Sequence, residues 1–217
     1  CFETMKTIPD NSINLVEIDP PYAMDLHAKK SESSMLGYNE IDSKKYVDFM
    51  KQLFTESYRI LRDGGWMLCW FAMDPWYEEL ANLISEANFK FNRLPGIWCK
   101  PNGQCSQPQT SLANTYEPFF YCRKGNGHIE KMGRSNVFAF NPIPPAQKWH
   151  PTQRPLNLME EIILTFTRPN STIYVPFLGS GTTLLAANNC QCKAFGNDLT
   201  KEFKDGYVVA LKEMINE

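Results

Sequence analysis

Short apolar runs alternate with amphipathic stretches from residue 13 to residue 196, and this alternation constrains the fold more than any other feature of the 217-residue chain. Runs at 13–18, 66–72, 91–99, 118–123, 136–140, 172–176 and 193–196 are too short for helices and are bounded by Gly, Pro, Asn or Asp, so they read as strands. Between them lie helical patterns. One opens at Asp42-Ser43 with Val47, Met50, Phe54, Tyr58 and Leu61 at helical spacing, and Asp63-Gly64-Gly65 is expected to stop it. Asp74-Pro75 is a good cap and first turn for a helix through Ala87. Further helices are expected from Pro155 through Thr167, from Thr182, and through Tyr207, Ala210, Leu211 and Met214, while 23–42 and 100–115 read as loops. Strands that alternate with helices make a mostly parallel α/β sheet.

With 43% hydrophobic and 21% charged residues, the chain fits one globular domain spanning 1–217. No apolar run approaches the roughly 20 residues of a membrane helix, so no membrane partner is expected. Seven cysteines, odd in number and without a CxxC pair, fit buried free thiols in a reduced, intracellular protein. Three histidines without HxxxH spacing give no metal site. The net charge of −2 argues mildly against strong nucleic-acid binding by the domain alone. Yet residues 93–154 hold eight basic and two acidic residues, which predicts either an electropositive face or merely an uneven solvated surface.

Three patterns carry chemistry. Asp19-Pro20-Pro21-Tyr22 ends the first strand. The lone pair of a nucleobase amino group is delocalised into the ring, and two acceptors can draw the hydrogens out of plane and localise it. The Asp19 carboxylate and the Pro20 carbonyl are such acceptors, Pro20-Pro21 stiffens the turn that carries them, and the Tyr22 ring can stack on a base. Alone, the same four residues also fit a plain strand-ending turn. Pro176-Phe177-Leu178-Gly179-Ser180-Gly181-Thr182-Thr183 joins a strand to a helix, where glycines let the backbone approach a ligand. No Gly-Lys-Ser/Thr follows, so it is not a Walker loop. Asp198 lies after the next strand, at the spacing from which an acid takes ribose hydroxyls, or else is a solvated turn residue. His150-Pro151-Thr152-Gln153-Arg154-Pro155 opens a helix, whose start attracts an anion; Thr152 and Arg154 add donors, and His150 reads as structural.

In this order the motifs resemble the DNA amino-methyltransferases of the beta-type permuted arrangement. There a DPPY motif comes first, then a target-facing segment, an HPTQKP-like element, a PFxGSGTT cofactor loop and an acidic ribose residue. "IPDNSINLVEI" and "TYEPFFYCRKG" add to the likeness, which covers nearly the whole chain. The resemblance implies a Rossmann-like methyltransferase sheet, mostly parallel with an antiparallel strand and helices on both faces. It implies S-adenosylmethionine as cofactor, double-stranded DNA as partner, no metal, and methylation of a flipped base, adenine N6 before cytosine N4 because Asp precedes Pro-Pro-Tyr. Asp19, Pro20, Pro21 and Tyr22 would be catalytic. Phe2 (ahead of the first helix), Asp19, Phe177, Gly179, Ser180, Gly181, Thr182 and Asp198 would hold the cofactor, with Thr152 and Arg154 at its methionine end. Within a target-facing segment of about 100–148, Lys100, Arg123, Lys124, Lys131 and Arg134 would meet DNA. A bacterial or phage-infected cytoplasm, a restriction-modification setting and a homodimer are further expectations of the resemblance.

The chain departs from the pattern in four places. Asp198 stands where Glu is usual, and Arg154 where Lys is usual. The family's Gly-Asp pair would fall upstream of Cys1, and only about a dozen residues separate Arg123 from Asn136 where recognition regions are commonly longer. The first suggests a piece of a longer protein; for the second, either the loops 23–42 and 100–115 or a domain outside this chain would supply the missing recognition surface. The alternatives are a cytosine-N4 enzyme, an RNA methyltransferase (disfavoured because Tyr22 replaces Trp), a degenerate nucleic-acid- or cofactor-binding module, and an oxidoreductase (disfavoured because the glycines do not match GxGxxG).

Overall fold

A computed structural model describes residues 1–23, 41–105, 107–199, 207–208 and 211–212. Most of the expected 23–42 loop, and the part of the last expected helix that carries Ala210 and Met214, lie outside the described residues. The described elements are α1 (Phe2–Thr7), β1 (Ile13–Ile18), α2 (Ser43–Ile60), β2 (Leu61–Trp70), α3 (Met73–Glu86), β3 (Lys90–Phe91), β4 (Gly96–Gln104), β5 (Asn114–Arg123), β6 (Val137–Ala139), a 3₁₀ turn (Pro145–Gln147), α4 (Leu156–Phe166), β7 (Thr172–Val175), α5 (Thr182–Asn189) and β8 (Lys193–Gly196). Residues 207, 208, 211 and 212 are helical.

The strands form one sheet in the order β6-β4-β5-β2-β1-β7-β8, with β3 pairing to β5. β2, β1, β7 and β8 run parallel, and β5 lies antiparallel between β2 and β4. Alternate residues of β1 serve opposite faces, as strand geometry requires. Val16 and Ile18 join Met67, Cys69 and Phe71 beneath α2 and α3, whereas Leu15 joins Trp66, Leu68 and Trp70 beneath α4 and α5. Helices therefore cover both faces, as the resemblance implied. α2 buries Tyr46, Met50, Leu53, Phe54, Ser57 and Ile60 along one stripe, and the Asp42 carboxylate caps it by accepting from Lys44 N–H at 3.0 Å. Each such fully buried large apolar side chain contributes about 1.5–3 kcal/mol.

Several boundaries differ from expectation: the strand expected at 91–99 is divided into β3 and β4, and α3 begins at Met73 with Ala72 as its cap, so Asp74 lies inside the helix span and does not cap it. α2 ends at Ile60, and Asp63-Gly64-Gly65 lies inside β2, where the register against β1 shifts between Ile13↔Leu61 and Leu15↔Trp66. The glycines accommodate this irregularity. A Cβ on Gly65 would stand 2.9 Å from the Arg62 carbonyl oxygen and 3.1 Å from that of Asn14. The expected 100–115 loop narrows to a tip at 105–113, because β4 and β5 continue their pairing as far as Gln104↔Asn114.

β1 sends the chain to β2 on one side, while β7, arriving much later, pairs on its other side. In open α/β sheets the crevice outside the carboxyl ends of two such strands is where ligands bind.

Candidate active site

A cavity of about 540 Å³ opens at this crevice. That volume lies in the range of small-molecule sites. Asp19, Pro20, Pro21 and Tyr22 leave the end of β1 to form one wall, and Phe177, Gly179, Ser180 and Thr182 leave the end of β7 to form another. Thr152 and Arg154 of the segment before α4, Asp198 after β8, Phe2, and Lys100 of β4 also line it. Residues more than 150 positions apart thus reach one space. Phe2 is the first residue of α1, not a residue ahead of it, and its ring meets Phe49 at 5.2 Å; Phe49 meets Phe177 at 6.1 Å. The three give the cavity an apolar corner.

The Asp19 turn is held by a hydrogen-bond network. Arg154 Nη1 donates to Asp19 Oδ2, and Nη2 donates to Oδ1 at 3.0 Å. The Tyr22 hydroxyl donates to Oδ1 at 3.1 Å, and Trp76 Nε1–H donates to the Tyr22 carbonyl at 2.7 Å. Arg154 Nη2 also reaches Glu117 Oε2 at 3.2 Å, and Lys100 Nζ donates to Glu117 Oε1. The guanidinium lies 3.9 Å from the centre of the Trp70 ring. Burial disfavours the Arg154 cation, but Asp19, Tyr22 and Glu117 outweigh it and hold its pKa well above the usual value. Glu117 is half-buried, which alone would raise its pKa, yet Arg154 and Lys100 keep its carboxyl below the usual range. Burial, with Asp19 close by, pushes Tyr22 well up, so its hydroxyl stays protonated and remains a donor.

The glycine turn is equally fixed. Asp198 Oδ2 accepts from Gly179 N–H at 2.8 Å, and Leu178 N–H donates to the Asn197 carbonyl at 3.1 Å. Gly181 caps α5 in the left-handed region (φ 75°) and stands behind the wall, not on it. Ser180 and Thr182 share a hydroxyl contact of 2.8 Å. His150 lies over Gly179; Thr152 N–H donates to its Nδ1 at 3.2 Å, and burial lowers its pKa, so it is neutral near pH 7.

The Arg154 guanidinium, expected at the methionine end of a cofactor, is engaged by Asp19 and Glu117. The expected electropositive face is largely cancelled in the folded chain. Arg93 pairs with Glu78, Lys100 with Glu117, and Lys131 and Arg134 both with Glu161. Lys124 Nζ donates to Asn11, the Tyr58 carbonyl and the Leu61 carbonyl, each at 2.7 Å, beside the amino end of β2 and away from the cavity. Arg123 Nη1 donates to the Gly127 carbonyl at 3.3 Å, at the same end of the sheet. Of the five residues expected to meet DNA, Lys100 alone lines the cavity.

Sequence reasoning missed Glu17, Glu117, Trp98 and Phe49, all of which line the cavity. Glu17 gave a signal, a charged residue within the otherwise apolar end of β1. It is 3% exposed and accepts from Trp70 Nε1–H at 2.9 Å and from the Thr183 hydroxyl at 3.1 Å. Burial, then the charge of Asp19, raise its pKa to about 7 against the pull of Arg154, Trp70 and Thr183. Among the described residues no helix is long and apolar enough to cross a membrane, and no group of three His, Cys, Asp or Glu side chains is placed to hold a metal ion.

The chain is 26% identical to the type II methyltransferase M.BglII of Bacillus subtilis over 91% of its own length and 63% of that protein's. It is also 26% identical to the type II methyltransferase M.HinfI of Haemophilus influenzae over 100% of this chain and 67% of that one. It therefore spans about two thirds of the length of these relatives. The crystal structure of the M1.HpyAVI–SAM complex superposes with a TM-score of 0.75 at 21% identity, covering 97% of this chain and 95% of that one. PvuII DNA methyltransferase (cytosine-N4-specific) superposes with a TM-score of 0.74 at 18% identity, covering 94% and 81%. At these identities the two structures share the fold. The family model described as DNA methylase, of N6/N4 type, matches residues 13–210, so the chain belongs to the N6/N4 DNA methylase family.

Proposed function

We propose that this chain is an S-adenosylmethionine-dependent DNA methyltransferase acting on the exocyclic amino group of a flipped base, with adenine N6 as its target. The observation that carries the reading is the shared cavity. The Asp19 turn and the Gly179 turn open into the same space.

The residues present fit the cofactor. Phe2 and Phe177 offer an apolar corner to an adenine ring, and Asp198 with the Gly179 turn offers acceptors and close backbone approach to a ribose. Thr152 and Ser180 offer hydroxyls to an amino-acid end. When bound, S-adenosylmethionine supplies an electrophilic methyl group.

The protein's part is to hold and activate the nucleophile. The target amino group is paired inside a duplex, so the base has to leave the stack. Asp19 and the Pro20 carbonyl then accept its two hydrogens and localise the nitrogen lone pair. Pro20 and Pro21 fix φ, and the Trp76 bond to the Tyr22 carbonyl pins the far end of the turn, so the acceptors are oriented before the base arrives. The Tyr22 ring, fixed through its hydroxyl, provides a stacking surface. Neither a covalent enzyme intermediate nor a metal is required, and positioning supplies most of the rate.

Asp ahead of Pro-Pro-Tyr favours adenine over cytosine. The test is methyl transfer from labelled S-adenosylmethionine to genomic DNA, followed by mass analysis of nucleosides. N6-methyladenine is expected, and N4-methylcytosine would reassign the base. Asp19→Ala is expected to lower transfer on the order of 10²–10³-fold, with cofactor affinity within a few-fold of wild type. Unchanged turnover in that variant would refute the assigned role.

A further inference from the structure

Asp19 has to accept from the target amino group, yet both of its oxygens are already engaged. Arg154 holds Oδ2 through Nη1 and Oδ1 through Nη2, and the Tyr22 hydroxyl shares Oδ1. A base entering the site therefore meets a carboxylate that already accepts three hydrogen bonds, and a guanidinium that yields one of them leaves Asp19 a fuller acceptor for the amino group.

Arg154 cannot simply lose its counter-charge. Its side chain is 9% exposed, its Nε is buried without a hydrogen-bond partner, and a buried cation left alone is strongly unfavourable. Nor has it room to swing away freely, because its plane lies 3.9 Å over the Trp70 ring, whose indole N–H is tied in turn to Glu17. The second carboxylate within its reach is Glu117, with Oε2 at 3.2 Å from Nη2. Glu117 projects from β5 just past the position where Phe119 pairs with Trp70, and Lys100 holds its other oxygen.

We propose that Glu117 is the second seat of Arg154, the carboxylate that retains the guanidinium in the cavity wall while Asp19 turns to the target amino group. The inference rests on the methyltransferase reading above. Glu117 is a positioning residue: it touches neither base nor methyl group, and it acts through Arg154. Lys100 keeps it ionised and aimed.

Two measurements on the full chain test this. In single-turnover methyl transfer, Glu117→Gln is expected to be at least about tenfold slower than wild type, with the Kd for S-adenosylmethionine and the KM for DNA within about threefold, because the loss falls on the step after binding. Glu117→Asp restores part of the rate. In ligand-free thermal melting, Asp19→Asn and Glu117→Gln each leave Arg154 one carboxylate, whereas the double variant leaves none. The double variant is expected to lose more than the sum of the two single losses. Wild-type rates in Glu117→Gln, a rate loss matched by lost cofactor affinity, or additive melting would each overturn the proposal. A wild-type chain that binds S-adenosylmethionine but methylates no DNA refutes the methyltransferase reading instead, and the melting cycle then still decides whether Glu117 seats Arg154.

Discussion

A carboxyl group buried at the middle of a parallel sheet has to be neutral or well paired, and Glu17 sits between those states. Its two partners, the Trp70 indole and the Thr183 hydroxyl, are neutral donors, and the nearest like charge is Asp19. The folded pKa of about 7 therefore exceeds the unfolded value of 4.5. Below pH 4.5 the group is protonated in both states and costs nothing. Between 4.5 and about 7 the unfolded chain releases a proton that the folded chain retains, so stability falls as pH rises. Above 7 the loss is complete and amounts to about 3 kcal/mol. Glu17→Gln keeps the shape: its Oε1 can accept from Trp70 and its Nε2 can donate to Thr183. Its melting temperature is expected to exceed that of wild type by several degrees at pH 8 and to converge with it near pH 4.5. A constant offset across that range would show that packing, not ionisation, separates the two. The strand was legible from its apolar pattern; the partners of Glu17 were not, because Trp70 and Thr183 are 53 and 166 positions away.

Elements were legible wherever a local signal governed them. Asp42 and Gly181 mark caps that need only neighbouring residues, β1, β7 and α4 fall within a residue or so of their expected bounds, and α5 begins at Thr182 as expected. Where tertiary pairing governs, local signals misled. Asp63-Gly64-Gly65 has the composition of a helix stop, but pairing with β1 and β5 draws it into β2 as an irregularity. The glycine turn before α5 shows both influences at once. Gly181 has φ 75°, and a Cβ placed there would stand 2.5 Å from the Tyr207 ring. Gly181→Ala thus carries a left-handed backbone cost of about 1–2 kcal/mol and a clash besides. Gly133, with φ 77° and nothing within 4 Å of a built Cβ, carries only the first. In urea melts Gly181→Ala is expected to lose more stability than Gly133→Ala, and adding Tyr207→Ala to Gly181→Ala should recover the difference. Equal losses in the two single variants would remove Tyr207 from the account.

At the scale of the whole molecule, the three motifs were readable one by one, and their convergence followed from the α/β order, since strand ends at a switch point share one crevice. Charge was not readable in this way. Eight bases against two acids between residues 93 and 154 suggested a basic face, yet besides Glu117 within that stretch, Asp19, Glu78 and Glu161 from outside it fold back onto these bases and pair with them. Lys124 is occupied by three oxygens at the far end of the sheet. Few of these cations are available to phosphate unless their pairs open, and the chain carries a net charge of −2. DNA affinity falls with salt with a log–log slope of about −0.9 per neutralised phosphate, so this chain is expected to show a slope no steeper than about −3 when binding is followed by fluorescence anisotropy between 50 and 300 mM salt. Lys124→Met should leave that slope unchanged while lowering the melting temperature, because the amine it removes holds β2 to the turn after β1's neighbouring helix and not a phosphate. A slope near −5, flattened by Lys131→Met or Arg134→Met, would instead mean that the Glu161 pairs open on DNA and that the basic stretch regains in the complex the charge it lacks in the free chain.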